Sequence, residues 1–231
     1  MFAYSPGMGL KELAASVRPV VLAGERLLPV LDPLVPLLAD GGLRRGAVVT
    51  VAGSTSLALA LLAGASAAGS WCAAVGLPGL GVAAAAQLGV ALDRFPLVAA
   101  PPDADEWAWA TAALLDAVDV VLARPPGRVR DGTVRRLTAK ARERSAILLV
   151  AGGGVEWQGA DVRLAVTGAE WEGVGQGYGS LRARRVEVVA TGRAAAARER
   201  RVTLWLPGPD GGVATVPVPD EQTLLDVVAA G

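Results

Sequence analysis

Short, mostly apolar runs recur along this chain, all but the last followed by a segment of helical length. The runs are Ala47–Ala52, Ser70–Val75, Phe95–Ala99, Val118–Ala123 and Ala146–Val150. Between them, Ser56–Ala68, Val82–Leu88, a segment from Asp103 to Asp116, and the basic stretch Thr133–Arg144 read as helices. A strand with one wet face alternates apolar and polar residues; a strand apolar at every position is covered on both faces. Strands of this kind alternating with helices define an α/β fold with a mostly parallel central sheet and helices on both faces. After Gly154 the pattern changes. Asp161–Thr167, Arg182–Ala190 and Arg201–Leu206 partly alternate and are separated by Gly-rich turns, which places antiparallel strands on the C-terminal side. Gly173, Gly175, Gly177 and Gly179 read as a hairpin loop.

The two ends differ from this core. Residues 1–40 read as an N-terminal arm, because Pro19, Pro29, Pro33 and Pro36 interrupt its helical and apolar patterns. Residues 41–207 form the core, and 208–231 a C-terminal extension in which Asp220 caps a possible short helix. Apolar residues at both ends have no obvious place in such a core. Leu27, Leu28 and Leu31, with Val35 and Leu38, mark the front; Leu224, Leu225 and Val228 mark the back. Both clusters are expected to bind a partner, the back one more than the front.

The residue inventory excludes several chemistries. The chain has 231 residues and no histidine, so it has neither a Ser-His or Cys-His nucleophile pair nor an imidazole metal ligand. Cys72 is the only cysteine, which rules out an intrachain disulfide and a multi-cysteine zinc site. Formal net charge is zero, so no global field draws the protein to nucleic acid or membrane. No membrane-length apolar run or signal peptide is evident, and a cytoplasmic location is expected.

One strand–turn–helix passage invites a phosphate-site reading: Arg45-Gly46, the strand to Ala52, then Gly53-Ser54-Thr55-Ser56 running into the Leu-rich helix. It resembles the entry to the nucleotide loop of the RecA family. Gln87–Arg94 is similar to that family's helix-to-strand passage and Val118–Ala123 to its Walker B strand. Ala146–Val150 is similar to the next strand, and Asp161–Leu164 with Arg185–Val189 to the antiparallel pair after it. The resemblance covers Leu43–Leu206 and implies a RecA-like core.

The nucleotide-handling positions depart from that family. A working loop needs Gly-x-x-x-x-Gly-Lys-Ser/Thr, so that successive amides wrap the phosphates and a lysine neutralises them. Only Ser54, Thr55 and Ser56 stand between Gly53 and Leu57, and no lysine occurs between Lys11 and Lys140. The metal-holding acid of the Walker B strand falls on Arg124, the catalytic glutamate near Leu77, and the polar sensor within Ala151–Gly153. No cofactor, no metal and no enzymatic activity are expected.

Two basic zones remain. The first holds Arg124, Arg128, Arg130, Arg135, Arg136, Lys140, Arg142 and Arg144; the second holds Arg182, Arg184, Arg185, Arg193, Arg198, Arg200 and Arg201. The compensating acids concentrate between Asp93 and Asp119, which predicts a polarised surface. Arg128, Arg130, Arg135, Arg136, Arg182, Arg184 and Arg185 are candidates for contact with DNA or an acidic partner, with an ordinary solvated surface as the plain alternative. Neither zone has interleaved aromatics for base stacking. Asp103, Asp105 and Glu106 read as a first helical turn rather than as catalytic carboxylates, and Cys72 as a buried small hydrophobe.

Among RecA-like proteins without a phosphate site, the chain resembles the ImuA-prime type. The residues are Gly53–Ala60, Ser70–Pro78, Val121–Arg130 and Leu181–Arg193. That resemblance implies a non-catalytic accessory protein of DNA-damage-induced translesion synthesis, a mutasome component. Its implied partners are an ImuB-type Y-family polymerase-like protein and, less directly, an error-prone DnaE-type polymerase, with weak DNA contact and no membrane. A SulA-like cell-division regulator and a direct DNA-binding protein are the alternatives.

Overall fold

The structure is a computed structural model and describes residues 26–99, 103–152, 157–174 and 179–216. Eleven strands occur among these residues. β1 (Leu27–Leu28) and β2 (Leu43–Arg44) form a small antiparallel pair. The other nine make one sheet: β3 (Val48–Ala52), β4 (Cys72–Val75), β5 (Leu97–Val98), β6 (Val120–Ala123), β7 (Ile147–Ala151), β8 (Val162–Val174), β9 (Gly179–Gly192), β10 (Arg200–Trp205) and β11 (Ala214–Thr215). Their order across the sheet is β11-β10-β9-β8-β3-β7-β6-β4-β5. From β8 to β5 every pairing is parallel; from β8 to β11 every pairing is antiparallel. The helices are α1 (Thr55–Ala67), α2 (Val82–Gln87), α3 (Ala104–Ala117) and α4 (Asp131–Arg144).

Side chains of a strand alternate between faces, and here both faces are dry. Val49, Val51, Cys72, Ala74, Val120, Leu122, Ile147 and Leu149 point into one core with α1. Their neighbours Val48, Val75, Val121, Ala123, Leu148 and Val150 point into a second, with Trp107 of α3, Leu137 of α4 and Trp157. That is why the strands read as continuous apolar runs. Helix α1 carries no charge and is buried over Leu57–Ala63, as a helix apolar on all sides must be.

The described part of the expected arm belongs to the first core. Its prolines do not leave it irregular: Pro33 opens the 3-10 helix Asp32–Leu37 and Pro36 lies within it. Leu28, Val30, Leu34, Leu37 and Leu38 are buried there. A Cβ on Gly64 of α1 would come within 2.6 Å of the Val30 backbone, so this segment lies directly on the helix. Leu28 is therefore corrected from a docking residue to a core residue; Leu31 is partly buried and packs on the same core, and Leu27 stays exposed. The other difference is at β8, which continues past Thr167 to Val174. Its outer part pairs with β9 alone, with irregular register between Val166 and Gly168 and between Glu172 and Val174.

Candidate functional site at the carboxyl ends of the strands

The parallel strands end on one edge of the sheet at Ala52, Val75, Ala123 and Ala151. Ligands of open α/β sheets bind at this edge. β7 stands between β3 and β6, so the turn after β3 and the end of β6 face each other across one strand, roughly 10 Å apart.

Between β3 and α1 lie only Gly53 and Ser54. Gly53 has φ of 80°, a left-handed conformation that glycine adopts without penalty. A Cβ there would meet the Val166 carbonyl oxygen at 3.3 Å, so β8 closes the outside of the turn. Ser54 caps the helix: its hydroxyl oxygen accepts from the Leu57 amide at 3.1 Å. A phosphate at a helix N-terminus is held by those same first-turn amides. Here one is taken by the protein's own side chain, no cation accompanies it, and no loop precedes it to wrap an anion. The residues present do not fit a nucleoside triphosphate.

The rest of the edge follows suit. After β6, the Arg124 amide donates to the Val75 carbonyl at 2.9 Å and its side chain is exposed to solvent. Gly76, with φ of 82°, passes so near the Arg124 carbonyl that a Cβ would sit 2.1 Å from that oxygen. Leu77 turns into the first core. Gly152 donates its amide to the Val51 carbonyl at 3.1 Å; Gly153 and Gly154 lie outside the described residues. The Trp107 indole N–H is buried beside Gly76 and has no partner among the described residues. Cys72 is buried, and burial, with Asp119 next, pushes its thiol up to about 12, so it stays protonated and unreactive.

Asp103 accepts backbone amides of Asp105 at 2.8 Å and Glu106 at 2.9 Å, which hold its carboxyl below its ordinary range. The trio is a helix cap and first turn. Among the described residues, no group of three or more His, Cys, Asp or Glu could hold a metal ion, and no helix is long and apolar enough to cross a membrane.

The basic zones are less polarised than expected, because α3 and α4 pack side by side. Lys140 and Arg144 both pair with Asp116, at 2.7 and 2.6 Å, and Arg130 reaches Asp105 at 3.2 Å. Arg128, Arg135 and Arg136 of the first zone remain exposed. In the second zone Arg185 pairs with Glu170, and Arg201 with Glu187 and Glu199. Arg182 is exposed. The expected lack of aromatics is also corrected there. Register sets Trp171 opposite Arg184, whose guanidinium lies 5.7 Å from the ring centroid. Sequence distance hid that pair. Leu224, Leu225 and Val228 lie outside the described residues.

A parallel sheet of this order, continued by antiparallel strands and carrying a vestigial turn after its central strand, defines a RecA-like α/β protein. A structure with that fold, the KaiC-like protein PH0186 from the hyperthermophilic archaeon Pyrococcus horikoshii OT3, superposes with a TM-score of 0.55. It is 14% identical, and the match covers 83% of this chain and 97% of that one, which speaks for the fold alone. The chain belongs to the family described as the MT3502 N-terminal domain, whose model matches residues 36–159. It is also 36% identical over 121 residues to the uncharacterized protein Rv3395c of Mycobacterium tuberculosis. That match covers 52% of this chain and 57% of the relative, so it spans little more than half of either.

Proposed function

We propose that this protein is a non-catalytic, RecA-like accessory subunit of a damage-induced translesion synthesis complex. It acts through protein contacts with an ImuB-type polymerase-like protein and, through it, an error-prone DnaE-type polymerase in the cytoplasm. The observation that carries the reading is the two-residue turn Gly53–Ser54. The RecA-like frame around it is intact, yet the turn is closed by Ser54 on one side and Val166 on the other. A scaffold freed from nucleotide chemistry is left with binding as its work. The ImuA-prime resemblance of Gly53–Ala60 and Leu181–Arg193, together with a mycobacterial relative, supports the assignment to a mutasome.

Two experiments test it. Titration calorimetry with ATP and Mg²⁺ is expected to give no saturable heat; binding weakened by Thr55→Ala would overturn the non-catalytic reading. Capture from DNA-damaged cells is expected to enrich the ImuB-type protein. Enrichment of a tubulin-like division protein instead would make this a SulA-like regulator. Removing residues 219–231, with Leu224, Leu225 and Val228, is expected to abolish capture while leaving thermal melting of the core unchanged.

A further inference from the structure

Helix α3 sends its two tryptophans in opposite directions. Trp107 is buried in the second core, whereas Trp109 is 74% exposed. A ring of this size left in water forgoes one of the largest apolar burials a side chain can contribute. It borders an open groove between α3 and the edge strand β5, lined by Val98, Asp105, Glu106, Trp109 and Ala110. Helical spacing accounts for the lining, because residues three and four apart share a face. Asp105 and Glu106 therefore stand one turn before Trp109, and the ring has two carboxylates beside it.

Elsewhere the molecule shows what suits such a ring. Trp171 is about half exposed, and the Arg184 guanidinium stands 5.7 Å from its centroid. Over Trp109 there is no cation among the described residues. Arg130 reaches Asp105 at 3.2 Å, but through an exposed side chain that does not line the groove. Glu106 makes no ion pair among the described residues. The arginine-lined cleft at the amino ends of β3 and β8 is the opposite case. There Asp40 holds Arg44, Asp119 holds Arg45, and Asp161 holds Arg142 and Arg193, so its charge is answered from within.

We propose that the Trp109 groove docks a basic segment of a partner protein, with a partner arginine lying over the indole and against Glu106. A guanidinium is planar and weakly hydrated, so it stacks on a ring while donating in its own plane to a carboxylate. Its aliphatic stem covers Val98 and Ala110. Two acids on the lining repel nucleic acid, anionic lipid and acidic protein alike. An open groove gives a free small cation little to bury, whereas a side chain is held there by the rest of an interface. Tryptophan and arginine are also the residues that most often carry the energy of a protein contact. The surface belongs to α3 and β5 and not to residues 219–231, so its failure and that of the mutasome reading are separate results.

The test uses the full chain and two fluorescein-labelled peptides, one alternating arginine with leucine and one glutamate with leucine, followed by anisotropy. The arginine peptide is expected to bind and the glutamate peptide to stay free. Trp109→Ala, at an exposed site, is expected to weaken binding about tenfold while melting stays near wild type. Trp109→Phe keeps a weaker ring and is expected to lose less, about threefold. Glu106→Gln is expected to cost about threefold and to flatten the salt dependence. Trp171→Ala, on the hairpin, is expected to leave affinity unchanged. Equal losses from Trp171→Ala and Trp109→Ala would overturn the assignment, as would full affinity in Trp109→Ala or equal binding of both peptides. Complete displacement by free arginine amide at matched arginine concentration would give the groove to a small cation. A dimer in sedimentation equilibrium that Trp109→Ala dissolves would give it to a second copy. Both of those outcomes reject the partner segment.

Discussion

The two edges of the parallel sheet are finished in opposite ways, one closed and one open. At the carboxyl ends, where such sheets bind ligands, Gly53, Gly76 and Leu77 pack the edge shut with backbone and apolar atoms. At the amino ends, normally a structural edge, arginines from β2, α4 and the segment after β9 border an open cleft. The carboxyl edge can be closed without loss to the fold, because the sheet is held by two apolar cores that need no ligand. The amino edge shows that the same frame can present a new concave surface where loops meet.

If the front segment is core rather than arm, Leu34→Ala is expected to cost about 3 kcal/mol in urea unfolding, the usual cost of emptying a buried leucine site. A loss below about 0.5 kcal/mol would return residues 26–40 to the status of a loose extension. The next effect tests the amino edge. Asp119 accepts from Arg45 at 2.8 Å and from the Trp71 amide at 3.0 Å, tying the starts of β3, β4 and β6 together. Asp119→Ala is expected to cost about 2 kcal/mol, since it leaves both donors without this acceptor. At the carboxyl edge, Ser54→Ala removes only a helix cap and is expected to cost about 1 kcal/mol. If it instead created a measurable phosphate affinity, the closure there would be shallower than the geometry says.

The smallest effect depends on pH. The folded-state pKa of Asp103 is depressed by two backbone amides, so its stabilising effect is full above the unfolded carboxylate pKa and is lost as pH falls through the folded one. Asp103→Ala should lower the melting temperature slightly near neutral pH and converge with wild type in acid. A difference that persists in acid would mean the side chain does more than cap α3.

What could be read from the sequence followed from periodicity. β3, β6 and β7 were legible because strands covered on both faces are apolar at nearly every position, Thr50 of β3 excepted, and α1 because it is flanked by turns and carries no charge. The missing loop was legible too, since a lysine that does not exist cannot be supplied by folding. The front segment was not. Pro29, Pro33 and Pro36 suggest irregular chain, whereas the buried faces of Leu34 and Leu37 arise only once a 3-10 helix is laid against β10. The length of β8 was hidden because Gly168, Glu170 and Glu172 belong to a stretch paired on one side only. The cleft was beyond reach, for its arginines come from positions 44, 45, 135, 142 and 193 and meet only in the folded chain.

The place of β3 in the sheet has a consequence during synthesis. Both of its neighbours, β7 and β8, lie far downstream; Val48 and the Asp161 carboxylate that binds its amide are 113 residues apart. Closing so long a loop must precede any reward from pairing, which slows the step that completes the sheet. Until then the ribosome has delivered β3 and a charge-free α1 with only the front segment and the first strands of the sheet to cover them. The nascent chain therefore leaves part of this charge-free helix uncovered until β7 and β8 arrive, and a trigger-factor-like holdase is expected to meet it there.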